Sequence, residues 1–535
     1  MGWNFGDLLD EVAGVVPPDF PALIHNDREI LWGDFNTRTN RLARALGERG
    51  AKGGDKVAFY MRNRPAYLET LVACFKGRFV HVNVNYRYQT QELEYIFDNS
   101  DARVVVFEAD FRDQIQALKG RLSKVVVWVE LSPDGETLDF AESFETLASQ
   151  GDGSRLDIKR SPDDLLFLYT GGTTGMPKGV MWPQGAIREA QLEGLRALGP
   201  APETMEQHLA VVKELGMHGR QLPACPLMHG TGLLTAMGAI TNGAAVVTLE
   251  NKGGFDPEQL WAAVDRHKVT SIAIVGDAFA KPMLNVLDQT PDKYDVSSVQ
   301  NIISSGVMWS YEVKSGLIKH MPNTMLTDSF GASEAVGFGS SIMTADGEVK
   351  TAKFSIGEKC KVFSEDEREI APGSGEPGFI ARGGSIPLGY YKDEEKTATT
   401  FKTINGVRYS IPGDWCTVEE DGTLTLLGRG SVCINTAGEK VYPEEIEEVL
   451  KEYPGVVDAL VVGVADEKWG QAVTAVVQPE NGAALDEGEV RQFVRGKLAG
   501  YKTPKTVLFK ASLGRAPNGK ADYKSIAQYA AEMLA

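Results

Sequence analysis

Cysteine is scarce: the 535 residues include 5, namely Cys74, Cys225, Cys360, Cys416 and Cys433. They are scattered, odd in number and form no C-x-x-C pair. That argues against a disulfide scaffold or a cysteine-built zinc site. It favours a reducing compartment, so the expected location is cytoplasmic. Long apolar runs are also missing. No stretch reaches the roughly 18 apolar residues that a membrane-crossing helix needs. The softest candidate, residues 222–249, is broken by His229, Asn242 and several glycines. The opening MGWNFGDLLDEV has neither a basic region nor an apolar core, so no signal peptide is expected. Gly6 stands where a myristoylation signal wants Ser or Thr, and the final AEMLA is not Ser-Lys-Leu. Positive charge is in deficit, with 55 Lys and Arg against 73 Asp and Glu, a net charge of −18. This disfavours a general binder of nucleic acid or acidic membranes. Small anionic ligands stay open, since they need local lysines rather than a basic chain.

What is present is globular. Hydrophobic residues make up 43% and charged residues 24%. The length calls for about two to four units rather than one core. Strand-like runs (VVVFE from Val104, VVVWVE from Val125, AAVVTLE from Ala244, SIAIV from Ser271, NIISS from Asn301) alternate with helical patterns. In one of these, Asp256 is placed to cap a helix and Pro257 fits its first turn. Such alternation predicts an α/β fold with largely parallel sheets. No internal repeat or low-complexity segment interrupts it. Past Gly428-Arg429-Gly430-Ser431 the pattern becomes a small α+β unit. Helices are predicted over 443–453 and 487–498, and strands over 457–464 and 473–479. The expected division is a large N-terminal domain, 1–428, and a small C-terminal domain, 429–535. The glycines at the boundary suit either a hinge or a rigid turn.

The most informative stretch is LLFLYTGGTTGMPKGVMW, Leu165 to Trp182. Leu165–Tyr169 reads as a buried strand. Thr170, Gly171, Gly172, Thr173, Thr174 and Gly175 follow, then Lys178. Glycines let the main chain approach a ligand, while hydroxyls, amides and a lysine suit anionic oxygens. A flexible hairpin with an incidental lysine would share this composition. A Walker A loop would not, because Lys178 follows Met176-Pro177 and precedes Gly179.

Further stretches stand at a distance in the same order. SFGASEA carries Ser329, Phe330, Gly331, Ala332, Ser333 and Glu334. A Gly-Asp pair ends in Asp414 and a Gly-Arg pair in Arg429. TAGEKVYPEEIEE carries Gly438 and Lys440, and APNGKADY carries Lys520. CPLMHGTGLL contains Met228 and His229, and ISSGVMWS contains Gly306. Taken alone, Glu334 could be a cap, Gly-Asp a turn, His229 a core histidine and Lys520 a surface residue. Taken together, the chain resembles the adenylate-forming superfamily of acyl-CoA synthetases, peptide-synthetase adenylation domains and luciferases. It is most similar to bacterial medium-to-long-chain and steroid side-chain acyl-CoA ligases. The likeness runs over roughly residues 30–525.

That resemblance implies ATP, Mg²⁺ and coenzyme A, a carboxylic acid substrate and an AMP-forming acid–thiol ligase. Thr170 to Lys178 would cradle the phosphates, and Glu334 would hold the metal with phosphates and waters. Phe330 would stack on adenine, with Ser329, Gly331, Ala332 and Ser333 around it. Asp414 would accept from the ribose hydroxyls, with Arg429 assisting. Gly306 would allow close approach between acyl pocket and base. Met228 and His229 give the acyl site an uncharged wall, better suited to a plain acid than an amino acid. Gly438 and Lys440 would line the pantetheine tunnel. Lys520 would bridge the acyl carboxylate and the α-phosphate, then withdraw as the small domain turns. The chain departs from the family at Phe330 (usually Tyr), Ser333 (Thr), Ser431 (Asp or Lys) and Asn435 (often Lys). Homodimers are common in the resembled family, so a homodimer is the assembly it implies.

Two alternatives stay open at this level. One is an acyl-AMP ligase that loads a carrier protein in trans. The other is a non-catalytic nucleotide- or acyl-binding regulator, against which the joint presence of Lys178, Glu334, Asp414 and Lys520 speaks. The assignment of Lys520 carries a prediction. Lys520→Ala should lower adenylation by about 10²–10³-fold, the usual cost of losing one transition-state electrostatic partner. Thioester formation from supplied acyl-AMP should fall much less. Equal losses in the two half-reactions, measured separately, would contradict it.

Overall fold

In the computed structural model, residues 2–534 are described except 171–175, 197–198, 251–253, 308, 348–352, 430–431, 433, 437–438, 467–469, 499 and 516–520. Gly171, Gly172, Thr173, Thr174, Gly175, Gly438 and Lys520 therefore lie outside the described residues. For Arg429 and Lys440 only the backbone is described.

The described strands form three sheets. In the 15-stranded sheet, Pro21–His25, Ala245–Thr248, Arg220–Pro223, Ser271–Ile274, Asn301–Ser305 and Met325–Ala332 lie side by side and parallel. Their connections carry helices such as Pro257–His267 and Asp277–Gln289. Parallel neighbours require such crossovers. The expected cap is present: Asp256 accepts from the Glu258 and Gln259 amides, and Pro257 opens the helix.

The expectation of largely parallel sheets holds as far as Met325–Ala332. Beyond it, Ala335–Met343, Lys353–Ile356, Leu424–Arg429 and Asp414–Val418 extend the sheet antiparallel. The link from Ala332 to Ala335 is too short for a crossover. The sheet is consequently mixed. A turn at Asp421-Gly422-Thr423 joins the last two of these strands, and Gly422 has φ 79°.

An eight-stranded sheet runs in the order Gly389–Tyr390, Lys178–Pro183, Leu165–Thr170, Val80–Asn83, Lys56–Tyr60, Ala102–Glu108, Val127–Leu131, Glu142–Ser143. The run expected from Val125 becomes strand only at Val127, and Val126 is 46% exposed. The third sheet starts at Ile434. It comprises Ile434–Thr436, Glu439–Val441, Val456–Asp466, Gly470–Pro479 and Thr506–Phe509. The helices Pro443–Lys451 and Glu487–Lys497 bury Ile446, Leu450, Val490 and Val494 against this sheet.

His81 stitches the second sheet together. It is fully buried on the strand beside Leu165–Thr170. Nδ1 donates to the Phe167 carbonyl at 3.1 Å, so Nε2, 3.0 Å from Tyr67 Oη, accepts from that hydroxyl. Both ring nitrogens are used in the neutral form, and burial pushes the imidazole down to about 3. In the unfolded chain the same ring titrates near 6.5. Below about pH 6.5 the unfolded state thus binds the extra proton, and acid favours unfolding. The loss begins as pH falls through 6.5 and continues toward about 3. It should amount to about 2 kcal/mol by about pH 5. Urea unfolding of wild type and His81→Gln at pH 7 and pH 5 should show a shallower acid loss in the variant.

Candidate active site

Four strands that neighbour one another in the large sheet end at Pro223, Ile274, Ser305 and Ala332. The segments that follow hold Met228 and His229, Gly276, Gly306, and Ser333 with Glu334. Ligands of α/β proteins bind in this position, outside the carboxyl ends of parallel strands. Gly306 has φ 89°, a left-handed conformation that a side chain would strain.

Two buried asparagines, unsuspected from sequence, tie the second sheet to this edge. Asn63 Nδ2 donates to the carbonyls of Pro223 (3.2 Å) and Cys225 (3.0 Å), and its Oδ1 accepts from Leu227 N at 2.7 Å. Asn83 Nδ2 donates to the carbonyls of Tyr169 and Met228, both at 2.8 Å, while Oδ1 accepts from Tyr169 N at 2.7 Å. The sequence held one clue: His81, Asn83 and Asn85 alternate with valines in the run VHVNVN. His229 follows, half-buried at the N-cap of the helix Gly230–Thr241.

The strand Leu165–Thr170 pairs antiparallel with Lys178–Pro183, Thr170 standing opposite Lys178. A strand, not a helix, thus follows the glycine-rich loop, in keeping with the exclusion of Walker A. Gly179 lets the hairpin close. A Cβ there would lie 2.7 Å from the Tyr169 ring. The Lys178 ammonium pairs with Asp393, and that pairing holds the Asp393 carboxyl below its ordinary range.

Glu334 is 9% exposed, and Tyr390 Oη donates to its Oε1 at 2.7 Å. Its backbone is anchored too. Ser410 Oγ donates to the Glu334 carbonyl (2.7 Å), and Trp182 Nε1 donates to that of Ser333 (2.8 Å). Among the described residues no group of three His, Cys, Asp or Glu could hold a metal ion. A single carboxylate fits Mg²⁺ all the same, since that ion keeps waters and is shared with substrate phosphates.

Phe330 is 7% exposed, packed between Phe338 and Phe354 with ring centroids 5.2 and 5.3 Å away. A base would therefore meet a ring already fixed from behind. Ser329 pairs with Ser340 and Ala332 with Ala335 across the strands. A Cβ on Gly331 would lie 3.1 Å from the Ala335 carbonyl. Asp414 is 8% exposed and opens its strand opposite Arg429. Lys440 lies opposite Asn435 in the hairpin of the third sheet.

The hairpin lysine and Glu334 meet on one short segment, Gly389–Asp393. Its strand pairs with Val180 and Met181, its Tyr390 holds Glu334, and its Asp393 holds Lys178. Sequence reading passed over this segment. Its signal was an Asp followed by Glu394 and Glu395, a helix start behind two tyrosines.

Residues 9–391 match the family described as AMP-binding enzyme, and residues 445–520 match the AMP-binding enzyme C-terminal domain. The chain belongs to the AMP-binding enzyme family. This AMP-binding enzyme is 41% identical over 541 residues to a 3-oxocholest-4-en-26-oate–CoA ligase of Rhodococcus rhodochrous, covering 98% of this chain and 95% of the relative. It is 40% identical over 533 residues to a medium/long-chain-fatty-acid–CoA/3-oxocholest-4-en-26-oate–CoA ligase of Mycolicibacterium smegmatis, covering 98% and 96%. Its fold matches ATP-bound MatB from Rhodopseudomonas palustris with a TM-score of 0.83 at 24% identity, over 100% of both chains. It also matches the anthranilate CoA ligase AuaEII in complex with anthranoyl-AMP, with a TM-score of 0.85 at 20% identity, over 100% of this chain and 98% of that one.

Asn83→Ala tests the junction of this AMP-binding enzyme. The change strands three buried backbone groups, each costing about 1–3 kcal/mol when unpaired, less what water recovers. A loss of about 2–4 kcal/mol is expected in urea unfolding at neutral pH.

Proposed function

We propose that the protein is an ATP-dependent, AMP-forming acyl-CoA ligase for medium- to long-chain fatty acids or steroid side-chain acids. The observation that carries this reading is the meeting of Lys178 and Glu334 on the segment Gly389–Asp393. A phosphate-seeking ammonium and a lone carboxylate suited to Mg²⁺ are thereby fastened to one short segment, at Asp393 and Tyr390. The names of the relatives at 41% and 40% identity supply the acid and the thiol.

In the first half-reaction an oxygen of the acid attacks the α-phosphorus of ATP, and the bond to pyrophosphate breaks. Lys178 and Thr170 receive the phosphates, and Lys520 neutralises the reacting centre. Mg²⁺, when bound at Glu334, supplies charge for the phosphate oxygens. Tyr390 keeps that carboxylate in one orientation, and Asp414 holds the ribose. In the second half-reaction the thiol of coenzyme A, losing its proton, attacks the acyl carbonyl, and the carbon–oxygen bond to AMP breaks. Residues 1–428 and 429–535 act as the two working units, turning about Arg429–Ser431. Gly438 and Lys440 then face the thiol's path. The enzyme works in the cytoplasm as a homodimer.

Pyrophosphate release with Mg·ATP, with and without coenzyme A, tests the reading over acetate, short to long fatty acids, benzoates and a steroid side-chain acid. Sustained turnover should need coenzyme A and appear with long-chain or steroid acids. Turnover on a carrier protein but not on coenzyme A would make the enzyme a carrier-loading ligase. Absence of release and of ATP binding would remove the catalytic reading.

A further inference from the structure

The segment Gly389–Asp393 is strapped down at both its backbone and its side chains. Leu388 N donates to the Met181 carbonyl at 2.9 Å and Tyr391 N to the Gly179 carbonyl at 2.8 Å, along the hairpin strand. Tyr390 Oη reaches Glu334, and Tyr391 Oη donates to Asp101 Oδ2 at 2.7 Å. Asp101 is itself paired with Lys124 and Lys392, both at 2.7 Å. The strap therefore has little freedom to carry Asp393 away from the hairpin.

Asp393 is aimed as well as anchored. Its Oδ1 accepts from Lys396 N at 2.9 Å, capping the helix Glu394–Thr400, and its Oδ2 takes the Lys178 ammonium. Capping sets the rotamer, so the second oxygen points at the hairpin without help from any ligand. Lys178 is the anionic-ligand residue of this site, yet its partner here is a side chain of the same chain. The Lys178 and Asp393 side chains are 36% and 24% exposed. A pair this open is worth little in net energy and can be exchanged. A phosphate carries more negative charge than the carboxylate and offers the ammonium more than one oxygen.

We propose that Asp393 is a resident stand-in for phosphate, holding Lys178 in place while the hairpin is empty and yielding it when ATP arrives. The proposal rests on the reading of the hairpin as a nucleotide site. Asp393 then has two opposed effects. It keeps the flexible lysine from wandering, and it competes with the nucleotide for the same ammonium.

Calorimetric titration of Mg·ATP into the full-length protein separates these outcomes. Asp393→Asn keeps an oxygen for the Lys396 amide, because Asn is as good an N-cap as Asp, and removes the competing charge. It should bind Mg·ATP about three- to fivefold more tightly, on the scale of releasing one exposed ion pair. In a Lys178→Ala background the same change should give no gain, since there is no ammonium to release. Affinity unchanged within about twofold, or weakened, would overturn the proposal. So would a gain that persists without Lys178, which would mean general repulsion rather than competition. Failure of wild type and all variants to bind Mg·ATP would remove the nucleotide reading itself, a result distinct from binding that is indifferent to Asp393.

Discussion

One buried carboxamide joins the pieces on which this site depends. Asn83 ends a strand of the second sheet and holds both sides of the Tyr169 peptide region and the Met228 carbonyl. The glycine-rich hairpin grows from Tyr169, and the loop proposed to line the acyl site passes through Met228. Two sheets that share one apolar cluster, with Leu23 and Val246 of the first beside Phe59 and Leu168 of the second, are thus tied further by buried polar groups. Burying an amide costs free energy unless every donor and acceptor is used, so the geometry admits little slack. Asn63 repeats the device one loop earlier, at Pro223, Cys225 and Leu227.

On that junction the charged groups are arranged by short-range contacts rather than by net charge. The chain as a whole carries −18, yet the hairpin presents a lysine. Glu334 stays where it is because a tyrosine hydroxyl, a serine and an indole hold it or its neighbour's backbone. The strap Gly389–Asp393 converts these separate anchors into one unit. Its effect is pre-organisation: the groups proposed to meet phosphate and metal are already fixed in place.

The small domain meets this frame through one helix and a few named side chains among the described residues. Its helix Pro443–Lys451 faces the strand Leu424–Arg429, and the rings of Trp415 and Tyr442 lie 5.8 Å apart at the junction. Lys281 Nζ reaches the Val457 carbonyl at 3.1 Å from the helix Asp277–Gln289 of the large domain. Within the small domain, by contrast, the sheet is closely tied. Arg515 pairs with Asp458 at 2.5 Å, and buried Glu447 accepts from Val461 N and Tyr523 Oη.

The sequence by itself determined the class of the fold, and it singled out the glycine-rich hairpin proposed to hold phosphate. Those depend on local matters: apolar periods, caps such as Asp256, and glycines and hydroxyls adjacent in the chain. It also pointed to Glu334, Asp414 and Arg429 through likeness to a family rather than through their own surroundings. Only the tertiary structure decided which residues hold the functional ones. Asn63 reaches the Cys225 carbonyl 162 residues away, Asn83 the Met228 carbonyl 145 away, Asp393 meets Lys178 215 away, and Tyr390 meets Glu334 56 away. It also decided that the sheet turns antiparallel after Ala332, since a short link cannot be told from a crossover by composition. Periodicity reports which face of an element is apolar. It does not report which polar atom on another strand will be waiting there, and this site is built from such pairings.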